Sequence, residues 1–334
     1  MSDIARDEIT YPWAIPPEGG RSIEVSPGVH WVLMPLPFAL DHVNLWLLED
    51  GDGWTIVDTG LGSKTQAHWE TLFATVMGGR PVRRVVATHY HPDHVGLAGW
   101  LVKRWNAPFF MSLTEWLFGR VLTSPDIEAT TASIELFYRR AGLAPSMAGA
   151  LAGRAQGYAR AVTPLPIELN RLQAGDELTI GPRRWRILVG RGHTPEHVCL
   201  YCAETGVLIA GDQVLPHISP NVSVWASEPE ADPLGDFLTS LDELAGLPAD
   251  TLVLPSHDLP FTGLHARVGD LHRHHAERLR ETREACIEPH TAAEITHRMF
   301  RRELDGQQMM FAVGEALAHL NWLVARGVIT RRRS

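Results

Sequence analysis

The chain has 334 residues, 45% of them hydrophobic and 21% charged, with a formal net charge of −9 and a pI near 6.0. That is an ordinary globular composition. It argues against general nucleic-acid affinity, and no apolar run approaches the roughly 18 residues of a membrane span. The first twenty residues, "MSDIARDEITYPWAIPPEGG", lack the basic start and apolar core of a secretory leader, so the expected compartment is the cytoplasm.

Length allows about two domains. Residues 20–60 read as strands with tight turns: "HWVLMPL", "VNLWLLED" and "WTIVDTG". "SKTQAHWETLFATVM" follows as an amphipathic helix with Ser63 as a cap, and "RRVVATH" as a short buried strand. Helical periodicity returns from Asp93 to about Trp105. Residues 108–112 read as a strand, and about 113–165 as an inserted, alanine-rich helical cap. Residues 172–215 return to strands and turns, 233–247 form a helix, and 251–255 a strand ending in "PSHD". A long polar helix runs from about 264 to 285. The end of the chain reads helix–helix–strand, finishing in "VITRRR".

Three cysteines are present: Cys199, Cys202 and Cys286. The first two form a CxxC inside what reads as a hairpin, "HVCLYCAETGVLIAGD". Residues three apart on a strand face opposite ways, so these thiols are structural rather than paired for metal.

The stretch "THYHPDHVGLAG" crowds His89, His91, Asp93 and His94 between the end of a strand and the start of a helix. Imidazole nitrogens and carboxylate oxygens are the donors zinc and similar divalent ions use. Alternation turns His89 and His91 to one side, while Asp93 and His94 approach from the helix, a spacing that suits two neighbouring ions. Three further apolar strands end in lone ligand-type residues: His193 in "GRGHTPEH", Asp212 in "LIAGDQ" and His257 in "LVLPSHD".

This ordered set resembles the metallo-β-lactamase superfamily over about residues 25–265. The resemblance implies an α/β fold, the αββα sandwich, with a two-metal site along one edge of the sheets. It places one metal on His89, His91 and His193 and the other on Asp93, His94 and His257, with Asp212 bridging. Asp58, in "VDTG", orders the metal-binding loops. A metal-bridging hydroxide is the implied nucleophile and Asp93 the catalytic residue that orients it or moves a proton. Zinc is the expected ion, with iron and manganese compatible with the same donors.

The tetrad and "GHTPEH" look most like the glyoxalase II branch, which implies hydrolysis of a thioester, ester or lactone of a small molecule. The tail departs from that branch and resembles the winged-helix-like end of β-lactamase-like endoribonuclease relatives. The rival reading is therefore a phosphodiesterase acting on single-stranded RNA. A non-enzymatic module with a structural metal is a third, disfavoured because closed structural sites need only four ligands. The expected division is a catalytic domain over 1–265 and a C-terminal winged-helix-like domain over 266–334. The tail's apolar residues, Phe311, Leu317, Leu320 and Leu323, suit packing or a homodimer. The inserted helices are expected to wall the pocket. His217 and Trp225, in "VLPHISPNVSVW", are candidate substrate contacts. His272, His274 and His275 read as a solvated helix face.

Overall fold

The computed structural model describes residues 8–37, 40–123, 127–154 and 156–332. Two sheets lie back to back. The first runs in chain order: β1 (Ser22–Ser26), β2 (Val29–Pro35), β3 (His42–Asp50), β4 (Gly53–Val57), β5 (Val82–Val86), β6 (Phe109–Met111) and β7 (Asn170–Arg171). Its first four strands pair antiparallel and the rest parallel. The second has the order β12 (Leu252–Pro255), β11 (Val207–Gly211), β10 (His197–Cys202), β9 (Arg183–Gly190), β8 (Glu177–Ile180), with β11 and β12 parallel.

Strand alternation decides how the layers stack. On β3, Trp46 and Leu48 face the second sheet, whereas Val43, Leu45 and Leu47 face the helices outside. On β10, Val198, Leu200 and Cys202 face inward while Cys199 and Tyr201 face out. The inner layer is filled by Trp31, Trp46, Trp185, Ile187, Ile209 and Leu254. Helices α1 (Gly62–Ala74) and α3 (Ala98–Trp105) cover the first sheet. The second is covered by α8 (Pro233–Leu244), α9 (Leu264–Ala285) and α11 (Gly306–Ala325). The result is the expected αββα sandwich. Truncating a core leucine such as Leu200 to Ala would cost about 2–5 kcal/mol. Cys199 and Cys202 are buried free thiols on opposite faces of β10, which accords with a structural CxxC.

Some boundaries differ from the sequence reading. Ser63 does not cap α1; the N-cap is Leu61, with no side-chain bond. The helix expected over 93–105 is broken into α2 (Pro92–Val95) and α3. Gly96 sits at the break because the 58–60 loop presses on it: an added Cβ would lie 2.3 Å from Pro92 O and 2.7 Å from Gly60 O. The tail contains α9, α10 (Ala292–Met299) and α11, but residues 326–329 form a turn and no wing strand follows among the described residues. Arg331 is spent instead on Glu230 and Asn321, and Arg333 lies outside the described residues.

The insertion is α4 (Leu113–Leu122), α5 (Ile127–Arg140), α6 (Pro145–Arg154) and α7 (Gln156–Ala161). Its two ends do different things. Phe118 of α4 stacks on Tyr90 at 5.5 Å, and Tyr158 of α7 donates to Tyr90 O at 2.6 Å, so these helices brace the tetrad loop. Tyr138 and Leu151, from α5 and α6, pack instead with Met309 and Val313 of α11. Residues 124–126 of the insertion are outside the described set. Among the described residues, no helix is long and apolar enough to cross a membrane.

Candidate metal centre

Strand ends deliver the donors. The tetrad follows β5, His193 follows β9, Asp212 follows β11 and His257 follows β12. All seven predicted ligands come together in two groups: His89, His91, His193 and Asp212 in one, Asp93, His94 and His257 in the other. Within each group the ligand atoms lie within 4.8 Å of one another. Asp212 faces both. Its Oδ2 is 3.5 Å from His193 Nε2 and 3.6 Å from His94 Nε2, and its Oδ1 is 3.6 Å from His257 Nε2. Asp93 Oδ2 lies 3.4 Å from His94 Nε2 and 3.5 Å from His257 Nε2. His89, His94, His193, Asp212 and His257 are buried, whereas His91 and Asp93 are partly exposed, so the centre opens toward that pair.

Four rings are held by acceptors that have no proton to give. His193 Nδ1 donates to Asn221 O at 2.8 Å and His257 Nδ1 to His42 O at 2.9 Å. His94 Nδ1 donates to Asp58 Oδ2 at 2.8 Å. Thr88 Oγ1 gives its own proton to Asp58 Oδ2, so it accepts from His89 Nδ1 at 3.0 Å. With Nδ1 bonded outward in every case, the Nε2 atoms turn inward, the arrangement that outer-shell partners impose on metal-binding histidines. His91 presents Nδ1 instead, 2.9 Å from His89 Nε2 and 3.1 Å from His193 Nε2. One proton on His91 can serve only one of those lone pairs.

The donor set fits divalent ions. His94 Nε2 and Asp212 Oδ1 are buried without a hydrogen-bond partner, a costly arrangement unless something electropositive sits between them. Burial, reinforced by neighbouring rings, pulls His91 down to about 3 and His89 well below its ordinary value. Burial also works to lower His257, but Asp212 and Asp93 outweigh it and carry the ring up to about 10. His94 is raised in the same way by Asp93, Asp212 and Asp58. Two carboxylates thus create a field that favours positive charge at this point.

Several supporting residues escaped the sequence reading. His197, in the same "GHTPEH" stretch as His193, accepts Asp212 N–H at Nε2 (3.1 Å) and so fixes the backbone of the carboxylate that faces both groups. Gly211 permits this contact: its φ is +55°, and a Cβ there would lie 2.3 Å from the His197 ring. Glu115, fully buried, accepts N–H bonds from Tyr90 (3.1 Å) and Glu196 (2.7 Å) and ties the tetrad loop to the His193 loop. Buried Asn44 donates to Pro255 O and Asp258 O on either side of His257.

The two candidate substrate contacts have protein partners. His217 joins Asp258 through Nδ1 and Tyr11 through Nε2, and its ring stacks on Tyr11. Trp225 meets Phe311 of α11 edge to face at 6.3 Å. The histidine cluster on α9 is not a solvated face throughout. His275 is 1% exposed, because its side of the helix packs against α11 and the 212–232 segment.

Residues 39–257 match the metallo-beta-lactamase superfamily, and residues 279–334 match the metallo-beta-lactamase-like C-terminal domain. The chain belongs to that superfamily of metallo-hydrolases. It is similar to a beta-lactamase domain protein from Burkholderia ambifaria, at 46% identity and a TM-score of 0.91, covering 98% of this chain and 95% of that one. A metallo-beta-lactamase family protein from Thermus thermophilus matches at 32% identity and TM-score 0.79, covering 92% and 97%. A probable metallo-hydrolase of Bacillus subtilis is 26% identical over 90% of this chain and 93% of its own.

Proposed function

We propose that the chain is a binuclear metal-dependent hydrolase of a small-molecule thioester, ester or lactone. The observation that carries this reading is Asp212, whose two carboxylate oxygens face two separate ligand groups. His89, His91, His193 and Asp212 would hold one ion, and Asp93, His94 and His257 the other, with Asp212 shared. Bound there, the ions would supply Lewis-acid charge to acidify water and to polarise the scissile bond. Zinc, iron and manganese all suit imidazole and carboxylate donors.

The chain's own groups have distinct tasks. Asp93 is the exposed-side carboxylate, with a side chain 17% accessible, and would move a proton between solvent and the reacting centre. Asp58, Asn221 and the His42 carbonyl keep the imidazoles aimed inward, and His197 keeps Asp212 in place. The tetrad motif and a distant likeness to a hydroxyacylglutathione hydrolase of Idiomarina loihiensis, 23% identical over 66% of this chain, favour the thioester and ester class.

The test is elemental analysis of the purified chain followed by a substrate panel: S-acyl glutathione, acyl-CoA, simple lactones, a primary alkyl sulfate and a single-stranded RNA. The sulfate is included because a linear primary-alkylsulfatase of a Pseudomonas strain is 26% identical over 65% of this chain. Two ions per chain with turnover of a thioester, ester or lactone is the expected result. Cleavage of RNA alone would establish the phosphodiesterase instead.

A further inference from the structure

The segment from Asp212 to α8 has no regular secondary structure, yet it carries a candidate ligand, Asp212, and the carbonyl that orients another. Its own backbone ladder cannot fix its shape, so its polar groups must be satisfied from outside. The C-terminal helices do this. Arg267 of α9, 7% exposed, donates Nε to Leu215 O at 2.5 Å and Nη2 to Ile218 O at 2.7 Å. Ser219 Oγ meets His275 Nε2 at 3.3 Å. Asn321 of α11 donates to Pro229 O and Ala231 O.

One of these contacts leads straight to the metal centre. Val224 N donates to Gly314 O of α11 at 3.1 Å. Ser223 lies against Gly314 so closely that a Cβ there would sit 2.6 Å from Ser223 Oγ and 2.7 Å from its Cβ. Ser223 Oγ donates to Asn221 Oδ1 at 2.9 Å, and Asn221 O accepts from His193 Nδ1 at 2.8 Å. Gly314 has no positive φ to explain it, and glycine is a poorer helix former than alanine. The space beside Ser223 is what requires a glycine.

We propose that the C-terminal helices form part of the metal centre's scaffold, and that Gly314 is a positioning residue that sets His193 through Ser223 and Asn221. The inference rests on the two-ion reading above. It gives the tail a role in the affinity of the first ion group, His89, His91, His193 and Asp212, that the second group, Asp93, His94 and His257, does not share.

The experiment is stepwise zinc competition against a chromophoric chelator on the full chain, with secondary structure checked by circular dichroism. The wild-type chain should take up two ions; uptake of none would sink the two-ion reading, and this inference with it. Gly314→Ala should weaken the first group about ten- to hundredfold, the usual range for disturbing an outer-shell partner, with the second group much less affected. Ser223→Gly alone, which lacks the hydroxyl bonded to Asn221, should itself weaken the first group, and in that background Gly314→Ala should add little, because the clash is gone. With two ions in the wild type, unchanged affinity in Gly314→Ala, or a loss that is equal in both groups or as large in the Ser223→Gly background as in the wild type, overturns the role given to the tail while leaving the two-ion reading intact. If Gly314→Ala does not fold, Ser223→Ala, which deletes one hydroxyl, replaces it, and unchanged first-group affinity there is equally fatal.

Discussion

Asp58 and His94, 36 residues apart in the chain, meet at 2.8 Å, with Nδ1 of the ring donating to Oδ2 of the carboxylate. Asp58 holds a left-handed φ of 63° to do so, and it also accepts Thr88 N–H and Oγ1–H. A strained, fully satisfied carboxylate behind a buried ring sets that ring's tautomer and direction. Asp58→Asn replaces one acceptor oxygen with an amide that cannot accept. Zinc affinity at the Asp93, His94 and His257 group should fall about ten- to hundredfold, as read by competition titration, with circular dichroism unchanged. Wild-type affinity in this variant would remove Asp58 from the centre.

Removal of Asp212, the carboxylate that faces both groups, should be more severe. Asp212→Ala leaves both ligand groups without the anion that faces them, and His257→Ala strips the second group alone. Both variants should lose turnover while folding normally, and Asp212→Ala should bind less metal per chain. Stripping the wild type with a chelator should lower its Tm, because ions that bind only the folded chain stabilise it by about 2.7 kcal/mol at a hundred times Kd. A calorimetric scan with and without zinc reads this directly. Identical melting in the two would mean that no ion binds the folded state preferentially.

What was legible in the sequence followed from local periodicity and local crowding. Alternation over β3 and β10 and the long α9 are properties of neighbouring residues, and so is the tetrad. His193, Asp212 and His257 could be found because each ends an apolar strand. The residues that hold these candidate ligands carry no such mark. Asn221 and His42 act through backbone carbonyls 28 and 215 residues from the rings they orient. Glu115 sits in an apolar helix where nothing nearby announces that its partners are Tyr90 and Glu196. His275 looked solvated because α9 is polar overall, and only the packing of α11 against it turns that ring inward. The absence of a wing strand among the described residues has a similar cause, since the Arg326 and Arg331 side chains engage Asp232 and Glu230 instead.

Acid should destabilise the tail through two buried histidines. His275 is depressed to about 3 by burial and by its neighbour His319, and His319 to about 4 by burial. Both rings are therefore neutral in the folded state at pH values where an unfolded histidine, with a pKa near 6.5, takes up a proton. The unfolded chain then binds more protons, so stability is fully present above about pH 6.5 and falls progressively toward pH 4. Each ring contributes a slope of about 1.4 kcal/mol per pH unit in that window. The double variant His275→Leu/His319→Leu removes both partners of the 3.3 Å contact together. Between pH 6.5 and 5 its stability should decline about 2–4 kcal/mol less than that of the wild type in urea melts. Other titrating groups are common to both proteins and cancel. Parallel pH profiles would show that the rings charge freely in the fold.

Glu115 offers the sharpest test of how the tetrad loop is held. Its two oxygens each accept a backbone N–H, from Tyr90 between the candidate ligands His89 and His91, and from Glu196 beside His197. Burial raises the carboxyl to about 7, so folding favours its protonated form and this group's contribution declines as pH rises from about 4.5 to 7. Glu115→Gln keeps the volume but has one acceptor oxygen for two N–H donors. One buried donor is then left facing an amide NH2, at a cost of about 1–3 kcal/mol. The denaturant midpoint should fall accordingly at pH 7 with the m-value unchanged. Because Tyr90 lies between two candidate ligands, zinc affinity of the His89 and His91 group should fall with it. Unchanged stability in Glu115→Gln would mean that the loop is fixed by Tyr158 and Phe118 alone, without the carboxylate.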